Sequence, residues 1–230
     1  MSIVKRIVCL ANSRKLNGRC IAGKELRGER PVGWLRPVSA REHEEVSEYE
    51  RQYSDGSDPQ VLDIMEVPLL DARPRGYQQE NWLLDPNQYW KKVGRSKWID
   101  LARLADPIEP LWIDGYHTYN GLNDKVPLAQ ADAIRNSLRL LRVEKLTLSV
   151  LRPGEAFGNP KRRVQGCFRH GTSEYRLWVT DPRYERAYLA KPDGEHDVGE
   201  SFLTVSLGEP HNDACYKLIA AIIEHRGGPV

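Results

Sequence analysis

Polar and apolar positions alternate most regularly in the C-terminal half of the chain, where a period of two predicts short, half-buried strands. Residues 145–151 set Leu146, Leu148 and Val150 against Lys145, Thr147 and Ser149, and Arg152-Pro153-Gly154 ends the run. Residues 162–170 place Val164, Gly166 and Phe168 on one side and Arg163, Gln165, Cys167 and Arg169 on the other. After Gly171-Thr172, residues 173–180 oppose Tyr175, Leu177 and Val179 to Glu174, Arg176 and Trp178, so the two runs predict a hairpin. Thr180-Asp181-Pro182 then supplies a polar cap and a proline suited to a first helical turn, ahead of Tyr184, Ala187 and Tyr188 at helical spacing. Residues 201–207 and 215–223 complete the series, although 216–223 also fits a helix. Three strands, a helix and two strands in about 80 residues is the order of an OB fold, a five-stranded Greek-key barrel.

The first third repeats that order less cleanly. Residues 3–10, 20–25 and 32–38 are strand-like, with a polar loop over 12–19, and residues 61–70 are a fourth strand rich in Val, Ile and Leu. Ser39-Ala40-Arg41-Glu42 has the spacing of a capping box and predicts a helix through the acidic stretch toward Tyr53. The fifth strand is sought near 111–113 or at Val126, beyond an excursion (about residues 72–130) that carries Trp82, Tyr89, Trp90 and Trp98 and a short helix near 99–104. Residues 131–142 read as either a helix or a strand. The expected architecture is thus mainly β with short helices: two tandem OB-like five-stranded Greek-key barrels, over residues 1–130 and 131–230.

Composition narrows the class further. Of 230 residues, 40% are apolar and 29% charged, with 6 Trp and 10 Tyr, the profile of a folded chain with a packed core. No apolar run reaches the roughly 18 residues of a membrane span, and the opening stretch is too short for a secretory signal, which predicts a cytoplasmic protein with no membrane partner. Cys9, Cys20, Cys167 and Cys215 form no C-x-x-C pair, an argument against a zinc knuckle or a disulfide framework.

The net charge of +2 conceals a dipole along the chain. Residues 1–41 hold ten Lys or Arg against Glu25 and Glu29, a balance of +8, whereas residues 42–71 hold ten Asp or Glu against Arg51 alone. Either the two blocks neutralise each other on a solvated surface, or the basic block forms a surface able to hold phosphates.

Cys9-Leu10-Ala11-Asn12-Ser13-Arg14-Lys15, Gly18-Arg19-Cys20-Ile21-Ala22-Gly23-Lys24-Glu25, Gly33-Trp34-Leu35-Arg36-Pro37-Val38-Ser39 and the closing Val205-Ser206-Leu207-Gly208-Glu209-Pro210 with Cys215-Tyr216-Lys217-Leu218 resemble the dual-OB domain family of prokaryotes. The resemblance covers nearly the whole chain. It implies two OB barrels in tandem and an association with conflict or antiviral defence loci, with a nucleic-acid or nucleotide-sensing role. It supplies no catalytic residues.

OB barrels hold oligonucleotides across strands two and three, between the loops joining strands one to two and four to five. In the first unit this frame selects Asn12, Arg14, Lys15 and Arg19, with Lys24 and Arg36 on neighbouring strands, as donors to phosphates or base edges. In the second it selects Arg163, Arg169 and Arg176 as cations beside Gln165, and Trp178 as a stacking platform. The competing reading makes the arginines ordinary surface residues and packs Trp178 away. His211-Asn212-Asp213-Ala214-Cys215 gathers the parts of an activated thiolate, against which stands the commoner buried structural cysteine. The dispersed histidines lack ligand spacing, Glu42, Glu44, Glu45 and Glu48 read as a solvated helix face, and no Walker loop or G-x-G-x-x-G occurs; neither metal nor cofactor is expected. The resulting expectation is a non-catalytic nucleic-acid-binding module for single-stranded DNA or RNA. A protein-interaction adaptor for a defence effector and a small-nucleotide sensor or hydrolase are the alternatives.

Overall fold

Strand pairing closes on itself twice along this chain, in the same order each time. The computed structural model describes residues 2–225 and 228–229. They fall into two units, Met1–Leu104 with Arg135–Ser137, and Ala105–Ile134 with Leu138–Val230. Residues 105–130, expected from sequence at the end of the first domain, fall within the second unit.

In the first unit β1 (Ile3–Lys15), β2 (Gly18–Arg27) and β3 (Arg30–Val38) form an antiparallel meander. The one-turn helix α1 (Glu48–Arg51) leads to β4 (Asp63–Ala72) and β5 (Asn81–Leu84). The β5 strand runs parallel to β3 and antiparallel to β4, and β4 pairs with β1, so five strands close in the Greek-key order of an OB barrel. A sixth strand, β6 (Lys91–Arg95), adds to β4. Ile7, Cys9, Ile21, Leu35, Met65, Val67, Leu69, Leu84 and Trp90 fill the interior. At the bulge between Cys9 and Ala11 the strands approach so closely that a Cβ on Gly23 would lie 2.0 Å from the Val8 carbonyl oxygen, which only glycine tolerates.

The first unit departs from the sequence expectation at three places. The 12–19 loop is a two-residue turn at Leu16-Asn17, and β1 and β2 extend through the polar residues on either side. The helix sought from Ser39 is confined to four residues, because the capping box is Ser47 with Glu50: Ser47 Oγ accepts from the Glu50 N–H, and the Glu50 carboxylate accepts from the Ser47 N–H at 2.8 Å. Glu44, with φ 57°, breaks any helix begun at Ser39. The fifth strand is β5, 27 residues before the nearest sequence candidate at Leu111.

The second unit opens with β7 (Lys125–Pro127) and the single turn α2 (Leu128–Ala131), then β8 (Leu138–Leu151). Next come β9 (Arg163–His170), β10 (Ser173–Val179), helix α3 (Pro182–Leu189), β11 (Gly194–His211) and β12 (Ala214–Glu224). Pairings β8–β9, β9–β10, β11–β8 and β11–β12 are antiparallel and β10–β12 is parallel, which repeats the closure of the first unit. The ambiguous 216–223 stretch is a strand. The β10–β12 contact spans only two residue pairs, and the seam beyond it is filled by the incoming chain: Leu122 bridges Arg176, Asp124 O accepts from Lys217 N, and β7 pairs with β12. Among the described residues no helix is long and apolar enough to cross a membrane.

Helix α3 plugs the barrel with Tyr184 and Tyr188, and its cap reaches further than a cap alone. Asp181 Oδ1 accepts from Arg183 N at 3.0 Å, while Oδ2 accepts from the Ile222 N–H of β12 at 3.2 Å. Burial raises the Asp181 pKa. Asp181→Ala is expected to cost roughly 2–4 kcal/mol, from a lost cap (about 1) and a stranded buried N–H (about 1–3). Asp181→Asn, which keeps one acceptor oxygen for the two N–H donors, should recover only part of it. Urea unfolding of the two variants checks the order.

Candidate functional site

The alternation that forms β8, β9 and β10 also decides what their outer surface offers. Apolar residues turn into the barrel, and the opposite face is left with Lys145, Thr147 and Ser149 of β8, Gln165, Cys167 and Arg169 of β9, and Glu174 and Arg176 of β10. The pairings align them in rows: Thr147 opposite Cys167 opposite Arg176, and Ser149 opposite Gln165. These residues, with Gly194 and Glu195 of β11 and Leu122 of the incoming segment, line a cleft of about 560 Å³. In an OB barrel this is the face of the first three strands.

Its charges are adjustable. Arg169 and Glu174 pair at 2.8 Å with both side chains more than half exposed, and Lys145 stands 3.8 Å from Asp197. Such surface pairs contribute about 0–1 kcal/mol, so either cation can exchange its carboxylate for a phosphate at little cost. Gln165 is anchored, its Nε2 donating to Asn120 O at 2.7 Å. Cys167 forms part of the floor, and burial raises its pKa, so at neutral pH it is a thiol and not a nucleophilic thiolate.

Trp178 shares the outer row with Ser149 and Gln165 but is only partly exposed, and the Arg163 guanidinium lies 4.0 Å above its ring. The structure thus brings Arg169 and Arg176 together on the cleft and joins Arg163 and Trp178 to each other beside it.

In the first unit the expected cluster divides. Arg14 and Arg19 are cross-strand partners at the end of the β1–β2 hairpin, with Lys15 next to them. The backbone of Arg19 bridges that of Val46, and Gly18 leaves no room for a Cβ against Glu45, so the acidic stretch packs directly behind the basic hairpin. Asn12 donates inward to Pro59 O at 2.8 Å. Lys24 is buried, 5.4 Å from the Trp34 ring centroid. Arg36 is buried as well, bonded to Ser137 Oγ at 2.7 Å and paired with Glu80 at 3.2 Å. Neither Lys24 nor Arg36 stands on the expected basic surface. Arg6–Glu66 and Arg41–Glu45 pair members of the basic and acidic blocks.

His211 is exposed at the β11–β12 turn, whereas Cys215 is fully buried, so the two do not meet as a nucleophile and its base. Among the described residues no group of three or more His, Cys, Asp or Glu is placed to hold a metal ion.

Lys145, Thr147 and Ser149 stand outside the residues expected at the site, although the same period-two alternation sets them on the polar side of β8. Tyr119 and Phe157, exposed aromatics in loops, carried no periodic signal at all.

A family model described as a dual OB-containing domain matches residues 5–222. No curated protein and no solved structure matches the chain.

Proposed function

The chain belongs to the family of dual OB-containing domains, and on that premise we propose that it is a nucleic-acid-binding or sensing module without catalysis of its own, which takes a single strand on the outer face of β8, β9 and β10. The observation that carries this reading is the cleft there, with Lys145, Arg169 and Arg176 beside the hydroxyls and amide of Thr147, Ser149 and Gln165. Cations meet phosphates, while hydroxyl and amide groups address sugar or base edges. The resemblance to conflict-associated proteins extends the reading to nucleic acid met in antiviral defence. The hairpin end with Arg14, Lys15 and Arg19 is a second, weaker contact surface, and Arg163 with Trp178 flanks the first.

Fluorescence anisotropy with labelled single-stranded DNA and RNA tests it. Three phosphate contacts, each contributing about 0.7 to the slope, give log K falling against log salt with a slope of roughly −2. An Arg169→Gln, Arg176→Gln double variant should bring that slope to roughly −0.7 and weaken every sequence alike. No binding at low salt, or binding with no salt dependence, overturns the proposal.

The bounded volume of the cleft, about 560 Å³, favours a small nucleotide as the second reading. A ligand at a hundred times its Kd stabilises a fold by about 2.7 kcal/mol, so a thermal-shift panel of mononucleotides separates the two readings.

A further inference from the structure

Two of the most exposed aromatic rings of the chain stand together at one end of the cleft, and neither belongs to a barrel strand. Tyr119 is 85% and Phe157 76% exposed, yet their ring centroids lie 6.1 Å apart in an edge-to-face pair. Phe157 sits in the loop between β8 and β9. Its short 3-10 turn, Glu155–Phe157, ends on Gly158 in the left-handed region, and a bridge between Gly154 and Asn159 ties the base of the loop. Tyr119 comes from the segment that precedes the barrel. There the Asp124 carboxylate accepts from the Thr118 N–H at 2.7 Å, and Gly121 passes so near that carboxylate that a Cβ would lie 1.9 Å from an oxygen.

The two supports are joined to each other and to the cleft. Asn120 Nδ2 donates to Pro153 O in the Phe157 loop at 3.3 Å, and Asn120 O accepts from Gln165 on the cleft floor. The backbone that carries the two rings is thereby tied to the cleft floor, and the segment's Leu122 is itself part of the lining.

Two exposed rings paired 6.1 Å apart on a tied backbone offer aromatic faces on which a base can stack. The cations Lys145, Arg169 and Arg176 on the adjoining face select an anionic partner with flat apolar parts. We propose that Tyr119 and Phe157 form a stacking platform for an unpaired nucleobase, whose phosphates run along the β8–β10 face. The inference rests on the reading given under Proposed function and adds a base-recognising element outside the barrel strands.

The test compares three ligands of equal length, a thymidine oligomer, a uridine oligomer and an abasic phosphodiester chain, on the wild type, Tyr119→Ala, Phe157→Ala and the double variant. Wild type is expected to prefer the base-bearing oligomers, and the double variant to lose about tenfold to hundredfold on them, the range of one or two base stacks. Abasic binding and the thermal midpoint should stay unchanged, and Phe157→Trp should restore affinity. Equal loss of oligomer over thymidine and uridine means that either polymer is accepted; loss on one alone assigns the platform to that polymer. Base-bearing oligomers bound equally well by wild type and double variant overturn the platform but leave the cleft reading intact. A fall in abasic affinity together with the thermal midpoint makes the rings structural and also overturns it. A wild type that binds none of the three ligands overturns the cleft reading and the platform together.

Discussion

Lys217→Ala is expected to lower the unfolding free energy of the second unit by about 3–5 kcal/mol, and its thermal midpoint by on the order of 10 °C. The Lys217 side chain on β12 has no exposed surface; its ammonium donates to Ile113 O at 2.7 Å and to Asp114 at 3.1 Å, and lies 5.3 Å from the Tyr175 ring centroid. Tyr175 Oη donates to the same carboxylate at 2.8 Å and accepts from Leu111 N at 3.2 Å. Burial pushes the Lys217 pKa down while Asp114 pulls it up, and burial pushes the Tyr175 hydroxyl up to about 12. One ammonium thus serves the Ile113 carbonyl and shares the Asp114 carboxylate with the Tyr175 hydroxyl, and it ties residues 111–114 to the barrel. Truncation removes the donor to the Ile113 carbonyl, takes the cation from Asp114, which keeps only the Tyr175 hydroxyl, and leaves a cavity. Lys217→Met fills the space but not the bonds, so it should recover only the cavity part. Combining Lys217→Met with Asp114→Asn removes the uncompensated charge and should recover more. Calorimetry of the series ranks the terms. A Lys217→Ala variant as stable as wild type would mean that the network carries no stability.

How far the sequence disclosed this fold depended on how local each cue was. The second barrel was legible because its strands are half-buried: Tyr175, Leu177 and Val179 alternate cleanly with Glu174, Arg176 and Trp178, and the Asp181-Pro182 start of α3 lies within two residues. The first barrel lost its fifth strand because β5 has four residues and joins β3 in parallel, so no hairpin turn announces it. S-x-x-E occurs at Ser39 and again at Ser47; the motif cannot choose between them, and the positive φ of Glu44 does. The candidate site shows the same division. Arg169 and Arg176 reach the cleft because alternation puts them there, but Arg36 leaves the surface on account of Glu80, 44 residues downstream, and no local pattern contains that information.

Arg36→Met should therefore unfold the first unit more easily by about 3–5 kcal/mol and leave the salt dependence of oligonucleotide binding unchanged. The guanidinium and the Glu80 carboxylate have side chains 6% and 3% exposed, 3.2 Å apart, and Ser137 joins them through its hydroxyl, which bonds to both. The Arg36 N–H also donates to Glu80 O at 2.9 Å, so charge and backbone hold the same two stretches together. Removing the cation leaves a buried carboxylate with Ser137 as its remaining donor, and desolvation then costs more than the pair contributed. Arg36→Lys should recover part of the loss, since both bonds leave one nitrogen, Nη2, and an ammonium keeps that charge and those donors on a shorter side chain. Arg36→Met with Glu80→Gln removes the charge and should regain part of the loss. A phosphate-binding Arg36 requires the opposite outcome: stability near wild type and a salt slope smaller by about 0.7. Guanidinium unfolding and the anisotropy titration, run on the same three variants, distinguish an arginine that holds the barrel from one that holds a ligand.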